Sequence, residues 1–302
     1  MANTIKHQEI WEAKLAERLD KPQNWKDVCD VRYSDSNTIV LPYVSTGGEP
    51  AVSATYLTSV ADRSTLSKVV TLIDVTMSTE TLQILTTNYD AVYIDYADQA
   101  QSYYAKLANL GVLLGKKIGE RIEAVILGDY GSWTDFGDTG GGVLGLASTQ
   151  ITVSESNIDD ICRGVIEQVQ TANGFDMYKE KGGFVVWRPA DWTKLVTFMQ
   201  ANGFQFADEA LKDGGNSKMG KEALGLFHYV STGHTANHLM AGVRGAEILG
   251  LLKSTFGKTY VTETPSSSTA GFLSGTAIHT RLDYGLKVQT NIKPVLYDVN
   301  VA

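Results

Sequence analysis

Apolar side chains recur at Leu107, Leu110, Leu114, Ile118, Ile122 and Val125. Steps of three and four residues put them on one stripe of a 3.6-residue helix. The pattern predicts a helix from Ala91 to Leu127, 37 residues and roughly 55 Å long at ~1.5 Å per residue. One compact core does not cover that length, so such a helix reads as a beam in an extended or assembling molecule. Gly111, Gly115 and Gly119 lie on it at four-residue spacing. Each costs ~1 kcal/mol relative to Ala, which close approach of another backbone would offset. The alternative is a break near Gly111 that leaves two ordinary helices.

Residues 4 to 20 carry Trp11, Leu15 and Leu19 on one side of a short amphipathic helix, ended by Pro22 and Asn24. A polar stretch follows from Asp27 to Asn37. One helix and a polar tail bury little by themselves. The segment therefore reads as an arm that packs either on its own domain or on a neighbour. From 38 to 88 the chain is rich in Thr, Ser and Val. Ile39 to Val44 predicts one strand and Lys68 to Met77 its return, with Val69, Ile73, Val75 and Met77 near period two. The residues between them, with Gly47, Gly48 and Pro50, are too polar for a buried sheet. They predict a long two-stranded loop projecting from the body. An isolated hairpin is marginal in water, so such a loop leans on something else. Asp62, Arg63 and Lys68 place charge in it, suited to a polar contact or to plain solvation.

A glycine-rich loop spans Gly128 to Gly145, and Ile151 to Val153 predicts a short strand. Ser156 then predicts a helix cap with Asp159 at the capping-box position. Ile158, Ile161, Cys162, Val165, Ile166 and Val169 repeat at helical spacing until Asn173 and Gly174. Gly183 to Trp187 reads as a buried strand. Pro189 opens the next helix, whose apolar face is Trp192, Leu195, Val196 and Met199, and Asn202 and Gly203 close it. Strands are predicted at Leu226 to Val230, His238 to Val243, Lys258 to Glu263, Ala277 to Leu282, Leu286 to Asn291 and Val295 to Val301. The class is α+β.

Composition narrows the functions. Hydrophobic residues make up 43% and charged ones 20%, as in a folded soluble protein. The net charge of −8 argues against a surface that wraps nucleic acid, because neutralising phosphate needs a basic face. Lys6, Glu9, Glu12, Lys14, Glu17 and Arg18 exclude a secretory apolar region at the N-terminus. No apolar run approaches the ~18 residues of a membrane span. There are two cysteines, Cys29 and Cys162, with no CxxC pair, so a reducing compartment is the default. Cys162 sits on an apolar helix face as a small core residue.

Motifs of chemistry are thin. Gly140, Gly142 and Gly145 match GxGxxG, but no strand precedes them and no helix follows. Gly215, Gly220 and Lys221 have P-loop spacing, but Glu222 stands where a magnesium site needs Ser or Thr. His228, His234 and His238 cluster in sequence; a pair four apart on a helix could hold zinc, but the surrounding residues read as turn and strand. No GxSxG elbow is present, and Asp159 and Asp160 suit a helix N-terminus better than acid–base work. No cofactor, metal or catalytic set is expected.

The order of elements is more telling: an arm, a polar hairpin, a beam helix, a helix–strand–helix module and returning strands. It resembles the major capsid proteins of tailed bacteriophages, the Hong Kong 97-like fold. Ala91-Val-Tyr-Ile-Asp-Tyr-Ala-Asp-Gln-Ala-Gln-Ser102 looks like the start of that family's spine helix. Phe184-Val-Val-Trp-Arg-Pro-Ala-Asp-Trp-Thr-Lys-Leu195 looks like its strand-to-helix passage in the axial domain, and Leu282-Asp-Tyr-Gly285 fits the return to the peripheral domain.

The resemblance implies residues 1–37 as N-terminal arm, 38–87 as an extended loop lying over a neighbouring subunit, 88–150 with 276–302 as peripheral domain with the spine helix, and 151–275 as axial domain. It implies a shell protein that self-assembles through hexamers and pentamers into an icosahedral head around double-stranded DNA. Portal and scaffold proteins would be partners, DNA would be touched weakly and without specificity, and no membrane would be involved. The expected location is the virion, after assembly in the host bacterial cytoplasm. Some relatives carry a long scaffolding segment before the arm. None stands here, which implies a separate scaffold or prior processing. Lys68 is the only lysine of the loop and sits in an expected strand, so no cross-link is expected. Candidate subunit-interface residues are Trp11, Leu15, Trp25, Asp62, Arg63 and Lys68. The alternatives are a cellular nanocompartment shell of the same fold and a metal-dependent α+β enzyme using His234 and His238.

Overall fold

A computed structural model describes Arg18 and residues 24–44, 77–95, 104–136, 150–172, 174–202, 222–235, 237–264 and 275–302. The chain divides into a large unit, Met1–Ile39 with Leu82–Ala302, and a small one, Val40–Thr81. Strands β2 (Thr38–Val44) and β3 (Met77–Gln83) form a two-stranded sheet of their own. The residues expected to complete the projecting loop, and Trp11 and Leu15 of the first helix, lie outside the described residues.

The large unit carries two sheets. One is built on β12 (Gly275–Val288), which pairs antiparallel with β4 (Thr86–Asp95), β11 (Thr259–Thr264) and β10 (Glu247–Leu252). β1 (Asp30–Ser34) adds parallel to β10. The other has the order β5-β13-β9-β6-β8-β7, from Thr134–Asp135, Leu296–Asn300, His238–Val243, Gly183–Trp187, Leu226–Val230 and Glu222–Ala223. Every residue of β6 is buried, as its unbroken apolar run requires. Helices α3 (Ile158–Thr171) and α5 (Pro189–Ala201) follow the expected periodicity and bury Ile158, Ile161, Cys162, Val165, Val169, Trp192, Leu195, Val196 and Met199. Between them comes the short α4 (Phe175–Lys181).

The long helix is shorter than its periodicity suggests. α2 runs Tyr104–Leu127, 24 residues or ~36 Å. Residues 91–95, expected as its first turns, are strand, paired from Ala91 opposite His279 to Asp95 opposite Gly275. Tyr89, Val92, Tyr93 and Ile94 are β-branched or aromatic, which suits a pleated sheet once a partner strand exists. α2 passes through Gly111, Gly115 and Gly119 without a break, and all three are buried. Leu114, Ile118, Ile122 and Ile126 sit in the core.

Of the two alternatives for the arm, residues 24–34 take the first and dock on their own unit; three further expectations change. Helix α1 (Asn24–Val28) buries Trp25 and Val28, Cys29 just after it is buried too, and the Gly245 N–H donates to the Val28 carbonyl at 2.6 Å. The two strands expected around Leu282–Gly285 are one strand. Gly285 lies opposite Gly250, and a Cβ there would stand 2.2 Å from the Gln83 carbonyl oxygen. That glycine admits a backbone rather than making a turn. The cap of α3 is Asn157, not Ser156; its Oδ1 accepts from the Ser154 N–H at 2.8 Å and its Nδ2 donates to the Thr152 carbonyl at 2.9 Å. Ile151–Val153 contributes only a bridge from Ile151 to Val301.

The start of α5 is tied to the C-terminus through Asp191, which is 1% exposed. It accepts from Arg188 Nε at 2.6 Å and Lys194 Nζ at 3.1 Å. Arg188 also donates to the Ala302 carbonyl, and Lys194 to that of Val153. Asp191→Ala leaves both cations without their carboxylate. The expected loss is about 2 kcal/mol, below the range for a fully enclosed pair because both cations reach solvent. Urea denaturation checks it; an unchanged midpoint would show the network to be incidental.

Candidate assembly surface

On the described residues of the large unit, apolar side chains stand in solvent at Tyr33, Leu85, Tyr89, Leu113 and Phe175. Two of them are close in sequence where the chain turns from β3 into β4. Leu85 is 72% exposed and Tyr89 58%. Within β4, Tyr89 and Ala91, both exposed, share the face that the sheet does not bury, and Leu85 stands just before the strand.

β4 is held firmly on its other edge. It pairs with ten residues of β12. The Thr87 hydroxyl donates to the Asp283 carboxylate, and Arg281 Nε donates to the same group at 3.0 Å. Asp283 is buried; burial raises its carboxyl, but the bonds from Thr87, Arg281 and Thr255 prevail and hold it below the usual range. Arg281 lies over the Tyr89 ring at 5.9 Å. Arg121 of α2 reaches Asp90 at 3.0 Å. Among the described residues nothing pairs the far edge of β4. A long strand with one open edge and an exposed apolar face is suited to contact with another chain.

Of the six interface candidates, five (Trp11, Leu15, Asp62, Arg63 and Lys68) lie outside the described residues. Trp25 is 2% exposed within the core of its own unit and packs with Val28, Ile126 and Leu127. It is a core residue. Leu85 and Tyr89 were not singled out by sequence. Tyr89 and Ala91 flank a polar residue at strand spacing, but the polar stretch read at 38 to 88 took in Leu85 and the helical pattern took in Ala91.

The histidines do not form a metal centre. His228 accepts from Trp187 Nε1 at 3.0 Å, so its Nε2 carries the proton donated to the Ala223 carbonyl at 2.9 Å. Both ring nitrogens are thereby used, and burial holds its pKa at about 4. His234 lies in a loop and bonds the His238 carbonyl at 3.1 Å; burial holds it too at about 4. His238 opens β9, binds Asp298 at 2.7 Å and stacks on Tyr130 at 3.8 Å. The one-face helical arrangement needed by a zinc pair does not exist. Among the described residues no three His, Cys, Asp or Glu side chains gather as ligands. The GxGxxG match and the glycines and lysine of the P-loop-like match lie outside those residues. No described helix is long and apolar enough to cross a membrane.

No family model matches the chain, and no curated protein matches its sequence. Solved structures do match. The capsid of a native GTA particle superposes with a TM-score of 0.56 at 12% identity, over 92% of this chain and 90% of that one. A virus-like particle from Pyrococcus furiosus gives 0.54 at 10% identity, over 97% and 98%. A structure from Mycobacterium phage Che8 gives 0.53 at 13% identity, over 87% and 84%. The chain thus shares its fold with these three structures. The expected mixture of helix and sheet is present, and its fold is shared with the GTA capsid.

Proposed function

We propose that this chain is a major capsid protein, copies of which assemble into the icosahedral head shell enclosing the double-stranded DNA of a tailed phage. The observation that carries the reading is the near-complete coverage, in both directions, of its match to the GTA capsid. A closed shell needs repeated heterologous contacts rather than one deep pocket. The open edge of β4, with Tyr89 on it and Leu85 just before it, is a surface of the required kind. In this reading residues 38–87 lie over a neighbour and the first residues of the 1–37 arm, ahead of α1, do the same. Residues 88–150 with 276–302 form the peripheral domain and 151–275 the axial domain. Hexamers and pentamers are the building blocks, with portal and scaffold proteins as partners in the host bacterial cytoplasm. The net charge of −8 suits a wall that encloses DNA without gripping it. The role is structural and asks for no catalysis.

A second reading, a nanocompartment shell around cargo rather than a genome, is favoured by the likeness to the virus-like particle. Negative-stain microscopy of the expressed protein is expected to show capsomers, tubes or closed shells. A monodisperse monomer at high concentration would refute both readings. Lysates of producing cells separate them: shells filled with double-stranded DNA support the first, and shells filled with a single protein the second.

A further inference from the structure

The joint where α2 ends holds a buried acid that has no counterion among the described residues. After Leu127 the chain turns through Asp129 and one 3-10 turn, Tyr130–Ser132, to Trp133. Glu247 opens β10. It stands opposite Val288 of β12, whereas the next residue, Ile248, stands opposite Lys287 and beside Asp30. Directly paired residues project to one face, so Lys287 and Asp30 lie on the face away from Glu247. Arg244 is engaged elsewhere: its Nε donates to the Lys181 carbonyl, and its guanidinium covers the Phe227 ring. Among the described residues the groups facing Glu247 are Cys29 just after α1, and Asp129 and Trp133 beyond α2. Glu247 is 1% exposed, and neither of its carboxylate oxygens has a hydrogen-bond partner among the described residues. The Trp133 indole N–H faces the Glu247 carboxyl without completing a hydrogen bond to it. Asp129 is half-buried and accepts only from the Ser132 hydroxyl at 3.0 Å among the described bonds.

We propose that Glu247 is a proton-gated joint: carrying its proton it seats β10 against the turn after α2, and losing that proton loosens the joint as pH rises. The ionised form would set a carboxylate beside Asp129 in a buried site that no cation of the described residues faces. Burial first, and the Asp129 charge second, push the Glu247 carboxyl well above the usual carboxylate range, while the Trp133 N–H offsets part of this. Burial raises Asp129 as well. The folded protein therefore keeps a proton that the unfolded chain has released. The stabilisation is complete below the ordinary carboxyl value of 4.5 and is lost as pH climbs through the raised folded value. Within that window one such group changes the unfolding constant by up to about tenfold per pH unit. His228 and His234 act in the opposite sense, and only below their ordinary value of 6.5. Asp27 and Asp298 are also raised, so the diagnostic quantity is the difference between wild type and variant.

The test is independent of shell formation and uses the full chain. Equilibrium unfolding is followed from pH 5 to 9 for wild type and Glu247→Gln, with Glu247→Met replacing Gln if the amide blocks folding. The wild type is expected to lose stability with rising pH more steeply than the variant, by up to about tenfold per unit in the unfolding constant. In wild type, amide protection of residues 127–136 and 245–248, corrected for intrinsic exchange, should fall with pH before that of β6. Parallel slopes for wild type and variant, or protection lost uniformly, overturn the proposal. So does abolition of the wild-type slope by calcium or magnesium chloride, which would make the acid pair a cation site.

Discussion

Gly242→Ala is expected to destabilise the large unit by about 3–5 kcal/mol, enough to consume much of the 5–15 kcal/mol that holds a typical domain together. Gly242 lies in β9 between two partners, Leu296 of β13 and Phe184 of β6. Its φ is +146°, and a Cβ would stand 2.3 Å from the Val295 carbonyl oxygen and 2.9 Å from the Leu296 Cα. Both obstacles are backbone. Neither can retreat without breaking the ladder that joins β13 to β9, and the φ strain persists however they move. Thermal and urea unfolding measure the effect. Gly131→Ala serves as the control, because a Cβ there meets nothing within 4 Å, and it should stay within about 0.5 kcal/mol of wild type. Near-equal stability of the two variants would mean that β9 and β13 are not paired as described.

Excising residues 45–76 and joining Val44 to Met77 through a short Gly-Ser linker is expected to abolish shell formation while leaving a folded protein. The cut falls inside the small unit, Val40–Thr81, and removes none of the buried residues that form the core of the large one. Closing a shorter loop changes the chain entropy by less than a few kcal/mol. Unfolding of the large unit should therefore stay near the wild-type midpoint, whereas sedimentation and microscopy should find only small species. The reverse outcome, intact shells from the shortened chain, would remove this segment from assembly. Leu85→Asp tests the neighbouring surface: at 72% exposure it should leave monomer stability within about 0.5 kcal/mol and reduce the yield of shells.

What local pattern could carry was legible in the sequence. α3, α5, β6, β8, β9 and β13 each show their own periodicity or unbroken apolar run, and those signals need no knowledge of a partner. The order of elements was enough to suggest the capsid-type fold. Little of the candidate surface was legible. A tryptophan such as Trp25 declares that it will be buried, but not in whose core, and the structure places it in its own. Leu85 and Tyr89 became visible as a surface only when β4 had a partner on one edge. Partners far along the chain decided the rest. Ala91 to Asp95 are strand because β12 lies beside them almost two hundred positions later, and β1 exists because Ile248 to Leu252 offer it an edge. Gly285 continues a strand because the Gln83 backbone crosses it. Glu247 is an ordinary surface residue type, and only the packing of three separated segments around it removes its water and its counterions. Sequence periodicity reports which side of an element is apolar; tertiary structure alone supplies what that side meets, and with it the energy that settles an ambiguous segment or shifts a buried acid.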